Sequence, residues 1–108
     1  MSLEEASGRT FSDTWHRVAG VRAHLRTSVT AHRQIFRGQP WMVLRDKFSH
    51  EWFRVTPDAW TFLCRLGEGT TVDEAWNRSL EFDAGRALTQ EEVVQLIGQL
   101  NLSNLLHF

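Results

Sequence analysis

The hydrophobic period of this chain changes once, at Thr56-Pro57, and that change limits the fold more than any other feature. Upstream, Val29 to Phe36 mixes β-branched and polar residues in rough alternation, as a strand does. Arg37-Gly38-Gln39-Pro40 is a turn signal, and Trp41-Met42-Val43-Leu44 is a short continuous apolar run suited to a covered strand. Asp46 to Ser49 makes a second connection, and Glu51 to Val55 forms a third strand. Downstream, Thr56 caps a helix with Pro57 at its first position, a place where a missing N–H costs nothing. Ala59, Phe62, Leu63 and Leu66 then recur at helical spacing until Gly67. Thr71-Val72-Asp73-Glu74 and Thr89-Gln90-Glu91-Glu92 are both capping boxes. They open helices with apolar faces at Val72, Ala75, Trp76 and Leu80, and at Val93, Leu96, Ile97 and Leu100. Leu105-Leu106 is left as an apolar tail.

The order β-β-β-α-α-α with short links predicts an α+β domain, a three-stranded antiparallel meander followed by three helices. It occupies residues 28–106. Residues 1–27 read as an N-terminal arm, polar from Met1 to Thr10. A short helix from the cap Ser12 would carry Trp15, Val18, Ala19 and Leu25, with Gly20 weakening its continuity.

A chain of 108 residues holds one core. No apolar run approaches the ~20 residues of a membrane span, and no signal peptide opens it. The single Cys64 excludes an internal disulfide framework, and five Trp with seven Phe predict an aromatic-rich interior. The net charge of −1 conceals an asymmetry. Residues 1–56 carry nine Lys/Arg against five Asp/Glu, and residues 57–108 carry three against eight. Arg17, Arg22, Arg26, Arg33, Arg37 and Arg45 fall in a stretch without a carboxylate, which suits anionic lipid, phosphate or an acidic partner as well as a solvated face.

Enzymatic motifs are incomplete. His50-Glu51-Trp52-Phe53-Arg54 begins like the zinc-protease signature, but Arg54 stands where the second histidine must be. His16, His24 and His32 lack carboxylate or thiolate partners at ligand spacing. Cys64 lies beside Arg65 with no oriented base implied by spacing, and reads as a half-buried helix residue. Asp73-Glu74 and Glu91-Glu92 sit in first helical turns, where they complement the helix dipole. Gly67-Glu68-Gly69 lacks the strand and the further glycine of a phosphate loop. No catalytic residue, metal site or cofactor is therefore expected in this chain. Trp76 reads as core, Trp60 as cover for a neighbouring element, and Trp41 and Trp52 as sheet-face or groove residues.

The run Arg37 to Asp46, followed by Phe53-Arg54-Val55-Thr56-Pro57-Asp58-Ala59, then Leu66 to Trp76 and Val93 to Leu100, resembles a PqqD-like domain. With Ser12-Asp13-Thr14-Trp15-His16-Arg17-Val18-Ala19 ahead of it, residues 12–106 resemble the cytoplasmic N-terminal region of bacterial membrane proteins related to site-2-type zinc metallopeptidases. The resemblance implies a winged-helix-like fold and a non-catalytic peptide-recognition role at the cytosolic face of the inner membrane. Zinc would be held only by an absent peptidase region, with the present chain either a free-standing domain or, by preference, an excised piece. It implies that a peptide or protein segment adds as a strand along Glu51, Trp52, Phe53, Arg54 and Val55, with Val93, Val94, Ile97 and Leu100 walling the cleft. The arginines Arg17, Arg22, Arg26, Arg33 and Arg37 would face lipid or another anion.

Two other classes remain. A nucleic-acid-binding winged helix would use the basic stretch, but Gln90 to Leu100 carries no Lys or Arg and does carry Glu91 and Glu92, which disfavours a recognition helix. A homodimerisation module would expose a strand edge or Leu105-Leu106 to a second copy.

Overall fold

The computed structural model describes residues 14–108. In chain order the elements are α1 (His16–Ala19), β1 (His24–Leu25), β2 (Val29–Phe36), β3 (Gln39–Asp46) and β4 (Trp52–Val55). Then follow α2 (Pro57–Arg65), α3 (Val72–Phe82), α4 (Gln90–Leu102) and β5 (Leu106–His107). The three helices after Thr56 all start where the threonines predict. The Thr56 hydroxyl accepts the Ala59 N–H at 3.1 Å. Thr71 and Thr89 each accept the N–H three residues on, at 3.1 Å, while Glu74 and Glu92 accept back from the threonine N–H at 3.0 and 2.9 Å. Each cap contributes on the order of 1 kcal/mol and fixes where its helix begins.

The meander is antiparallel in the order β2-β3-β4, running Val29↔Asp46 to Phe36↔Gln39 and then Arg45↔Trp52 to Met42↔Val55. The first turn is only two residues long. Arg37 and Gly38 both have positive φ, 53° and 77°, the backbone that matches strand twist in a tight hairpin. Gln39 and Pro40, expected in that turn, already belong to β3. Leu44 and Val55 anchor the sheet's inner face in the core, with α2 covering β3 and packing on α3. From His32 to Gln39 every residue is exposed, so the far end of the β2–β3 hairpin stands clear of the helices. Trp76 is buried as expected, and its indole N–H donates to the Leu88 carbonyl at 2.8 Å.

A second, two-stranded sheet was not foreseen. β1 pairs antiparallel with β5, His24 opposite His107 and Leu25 opposite Leu106. Leu105 and Leu106, read as a tail, are core residues at 0% and 2% exposure. Residues 14–27, read as an arm, are woven into the same core. Ala23 is buried, Trp15 packs on Trp76 with ring centroids 5.2 Å apart, and the Val72 N–H donates to Val21 O at 2.9 Å. The N-terminal helix is a single turn, Leu25 belongs to β1, and the expected cap Ser12 lies outside the described residues. Among the described residues no helix is long and apolar enough to cross a membrane. Because Leu105 is fully buried, Leu105→Ala should cost about 2–5 kcal/mol in a denaturant melt. A solvated tail would lose less than about 0.5 kcal/mol.

Candidate functional site

The sheet ends at β4, and the unpaired side of that strand is the feature around which the surface is organised. The Asp46 N–H donates to Glu51 O at 2.9 Å. By antiparallel alternation the main-chain groups of Phe53 and Val55 then pair with β3, while those of Trp52 and Arg54 point to the open side. Among the described residues nothing pairs with them. The turn that launches β4 is pinned by Asp46. Its carboxylate accepts from the Ser49 N–H and hydroxyl at 2.9 and 2.5 Å, and His50 takes a left-handed φ of 62°. The Ser28 hydroxyl and then the Ser49 hydroxyl and N–H hold the Asp46 carboxyl well below the usual carboxylate range.

Two concavities flank the open edge. On the helical side, a groove of about 250 Å³ runs between β4 and α4, with Phe53, Val55, Ala59, Leu88 and Leu96 forming its apolar floor. Glu92, Gln95 and Gln99 give it a polar rim, and the Glu92 carboxylate is already engaged by the Thr89 N–H. On the solvent face of the sheet, a cup of about 280 Å³ is bounded by Phe36, Trp41, Val43 and Trp52, with Arg45 and Arg54. Trp41 and Arg54 line both. The Arg54 guanidinium lies 4.5 Å from the Trp41 ring centroid and 5.4 Å from that of Phe36, which holds it over the outer face of β3 and β2, turned inward from the open side of β4.

The strand residues named from sequence divide by parity. Trp52 and Arg54 face the outer cup, Phe53 and Val55 the inner groove, and Glu51 lies in the connection just before β4. The helix residues are placed differently from the expectation. Val93 and Leu100 are fully buried in the core, and Ile97 is buried too. Val94 and Ile97 line a separate groove of about 370 Å³, with Val18, Val21 and Phe108. The face of α4 that walls the β4 groove is Glu92, Gln95, Leu96 and Gln99. Its mixed polarity hid it from a search for apolar stripes, though its spacing of three to four residues was legible.

The expected anion-contact arginines do not form one patch. Arg26 is committed to the C-terminal turn, where it donates to Asn104 O and Oδ1 at 3.0 and 2.9 Å. Arg22 stands near enough to Glu74 to help lower that carboxyl's pKa, after the larger effect of the Thr71 N–H and hydroxyl. Arg17 borders the Val94–Ile97 groove. Arg33 and Arg37 sit on the projecting hairpin beside Ile35 and Phe36, which are 71% and 51% exposed.

No group of three or more His, Cys, Asp or Glu is placed to hold a metal ion among the described residues. His50 and Arg54 lie in a turn and a strand, so the spacing that resembles a zinc helix never shares a helical face. Cys64 is on the surface of α2, with its thiol pushed up by partial burial. No family model matches this chain, and no curated protein or solved structure is similar to it.

The Asp46 turn gives a pH test. The carboxyl is depressed in the folded state, so its stabilisation is complete above the unfolded value of about 4 and is lost as pH falls below it. Urea midpoints should therefore drop between pH 6 and pH 3 by more in the native chain than in Asp46→Asn. Equal drops would remove Asp46 from the account of how β4 is positioned.

Proposed function

We propose that this chain is a non-catalytic peptide- or protein-binding module, in which an extended segment adds to β4 and lies in the groove against α4. The observation that carries the reading is the conjunction of an unpaired strand edge with an apolar-floored groove beside it. Main-chain hydrogen bonds at Trp52 and Arg54 supply affinity, and the groove floor supplies selectivity. The winged-helix-like description belongs to this reading: β2–β3 is the projecting wing and α4 the helix beside the site. So does the resemblance to PqqD-like domains, together with a cytosolic position in a longer, membrane-associated zinc metallopeptidase-like or peptide-export protein.

Arg54→Pro tests the backbone role directly. The ring removes an N–H that points away from β3, so the meander keeps its ladder. Peptides selected from a displayed random library against the native chain should shift the Trp52 and Arg54 amides. They should bind Arg54→Pro about tenfold more weakly, and more weakly than Arg54→Ala, which keeps the N–H. Selected peptides that shift other surfaces, or bind Arg54→Pro and Arg54→Ala equally, overturn the reading. Scattering mass that rises with concentration and falls in Arg54→Pro would replace the peptide by a second copy.

A second contact is favoured by the wing tip, where Ile35 and Phe36 are exposed between Arg33 and Arg37. An apolar tip flanked by cations suits the interface of an anionic bilayer. Sedimentation with phosphatidylserine-containing vesicles should exceed that with phosphatidylcholine alone, and Phe36→Asp should abolish the difference. Retention of the difference in that variant excludes the tip.

A further inference from the structure

The two concavities share an edge, and the sharing determines what can lie there. A strand added to β4 points successive side chains to opposite faces of the sheet. Residues on one parity enter the groove over Val55, Ala59, Leu88 and Leu96, which accepts apolar side chains. Residues on the other parity stand on the outer face beside Trp52 and Arg54, which form the β4 rim of the outer cup. Of the seven residues bounding that cup, Arg45 and Arg54 are cations and none is a carboxylate. Arg54 rests against Trp41 and Phe36 on the neighbouring strands, so its cation stays on the outer face of the sheet, the face that every second residue of an added strand shares. The charge is also unspent, because neither Arg45 nor Arg54 forms an ion pair among the described residues, whereas Arg65 and Arg86 do.

We infer that the segment recognised at this edge alternates apolar and acidic residues, with apolar side chains in the α4 groove and an Asp or Glu between them in the outer cup against Arg54. This inference rests on the strand-addition reading and assigns it a ligand chemistry. A carboxylate directly across from Arg54 on the same face lies at cross-strand neighbour distance. Arg54 thus becomes the specificity-determining residue, its backbone pairing with any peptide and its guanidinium selecting among them.

The test is a charge reversal read by selection. A random ten-residue library displayed on phage is selected in parallel against the native chain and against Arg54→Glu, whose exposed position leaves the fold intact by circular dichroism. The native chain should enrich peptides with Asp or Glu between two apolar residues. Arg54→Glu should enrich Lys or Arg at that same position. Exchanging one acidic peptide between the two proteins should change its Kd about five- to tenfold, less at high salt. Peptides that shift the Trp52 and Arg54 amides but show no charge preference overturn this inference and leave strand addition standing. Peptides that leave those amides unmoved overturn both. Oligothymidylate binding to the cup in preference to every selected peptide would assign the same cations and aromatics to single-stranded nucleic acid and likewise overturn the inference.

Discussion

Thr56 is where the sheet stops and the helical layer starts, and most of the molecule's surface chemistry depends on that stop. Its hydroxyl takes the Ala59 N–H, and Pro57 locks the first helical residue, so the chain cannot continue as a longer strand or return as a fourth. The meander is thereby left with β4 at its margin, four residues long, directly beside the helices that the same turn introduces. Had the chain formed another hairpin at this point, the open edge would have moved away from α4 and the groove would not exist. A local capping interaction of on the order of 1 kcal/mol thus helps to set where the open strand edge lies.

The core explains why that edge can stay unpaired without unravelling. Leu44 on the central strand is fully buried, and Val55 at the end of β4 nearly so, which ties the short strand to the helical layer by side chains. At the other end Asp46 fixes the connection through Ser49. Trp76 joins α3 to the segment before α4 through its bond to Leu88, and Leu88 is also part of the groove floor. Much of the floor of the groove is therefore set by buried side chains, Val55, Ala59, Leu88 and Leu96 among them.

Helix starts and the meander were legible because both are local. A threonine cap with a glutamate three residues on, or a strand–turn–strand run, is written in consecutive residues. The β1–β5 sheet was not legible, because it joins two-residue strands from opposite ends of the chain, and no period can emerge from two residues. The wall of the groove was missed for a different reason. The most apolar stripe of α4, at Val93, Ile97 and Leu100, is what the core claims first, so the face that walls the groove is the adjoining one with Glu92, Gln95 and Gln99. The arginine block shows the same limit in charge. Near one another in sequence, those residues are dispersed by the fold to the C-terminal turn, the neighbourhood of Glu74 and the β2–β3 hairpin, while Arg54 from outside the block is the cation carried by β4.

An open strand edge is also a hazard, since a second copy of the same chain presents the same unpaired groups. Here the edge is short, and its central residue carries a permanent positive charge on the exposed face. Antiparallel addition of one β4 to another centred on this residue would set two Arg54 side chains on one face of the continuous sheet, where like charges oppose pairing. The guanidinium proposed to select an acidic residue in an incoming segment would therefore also disfavour self-association in that register. Charge at the edge separates the two outcomes, and main-chain hydrogen bonding, which is the same for both, cannot.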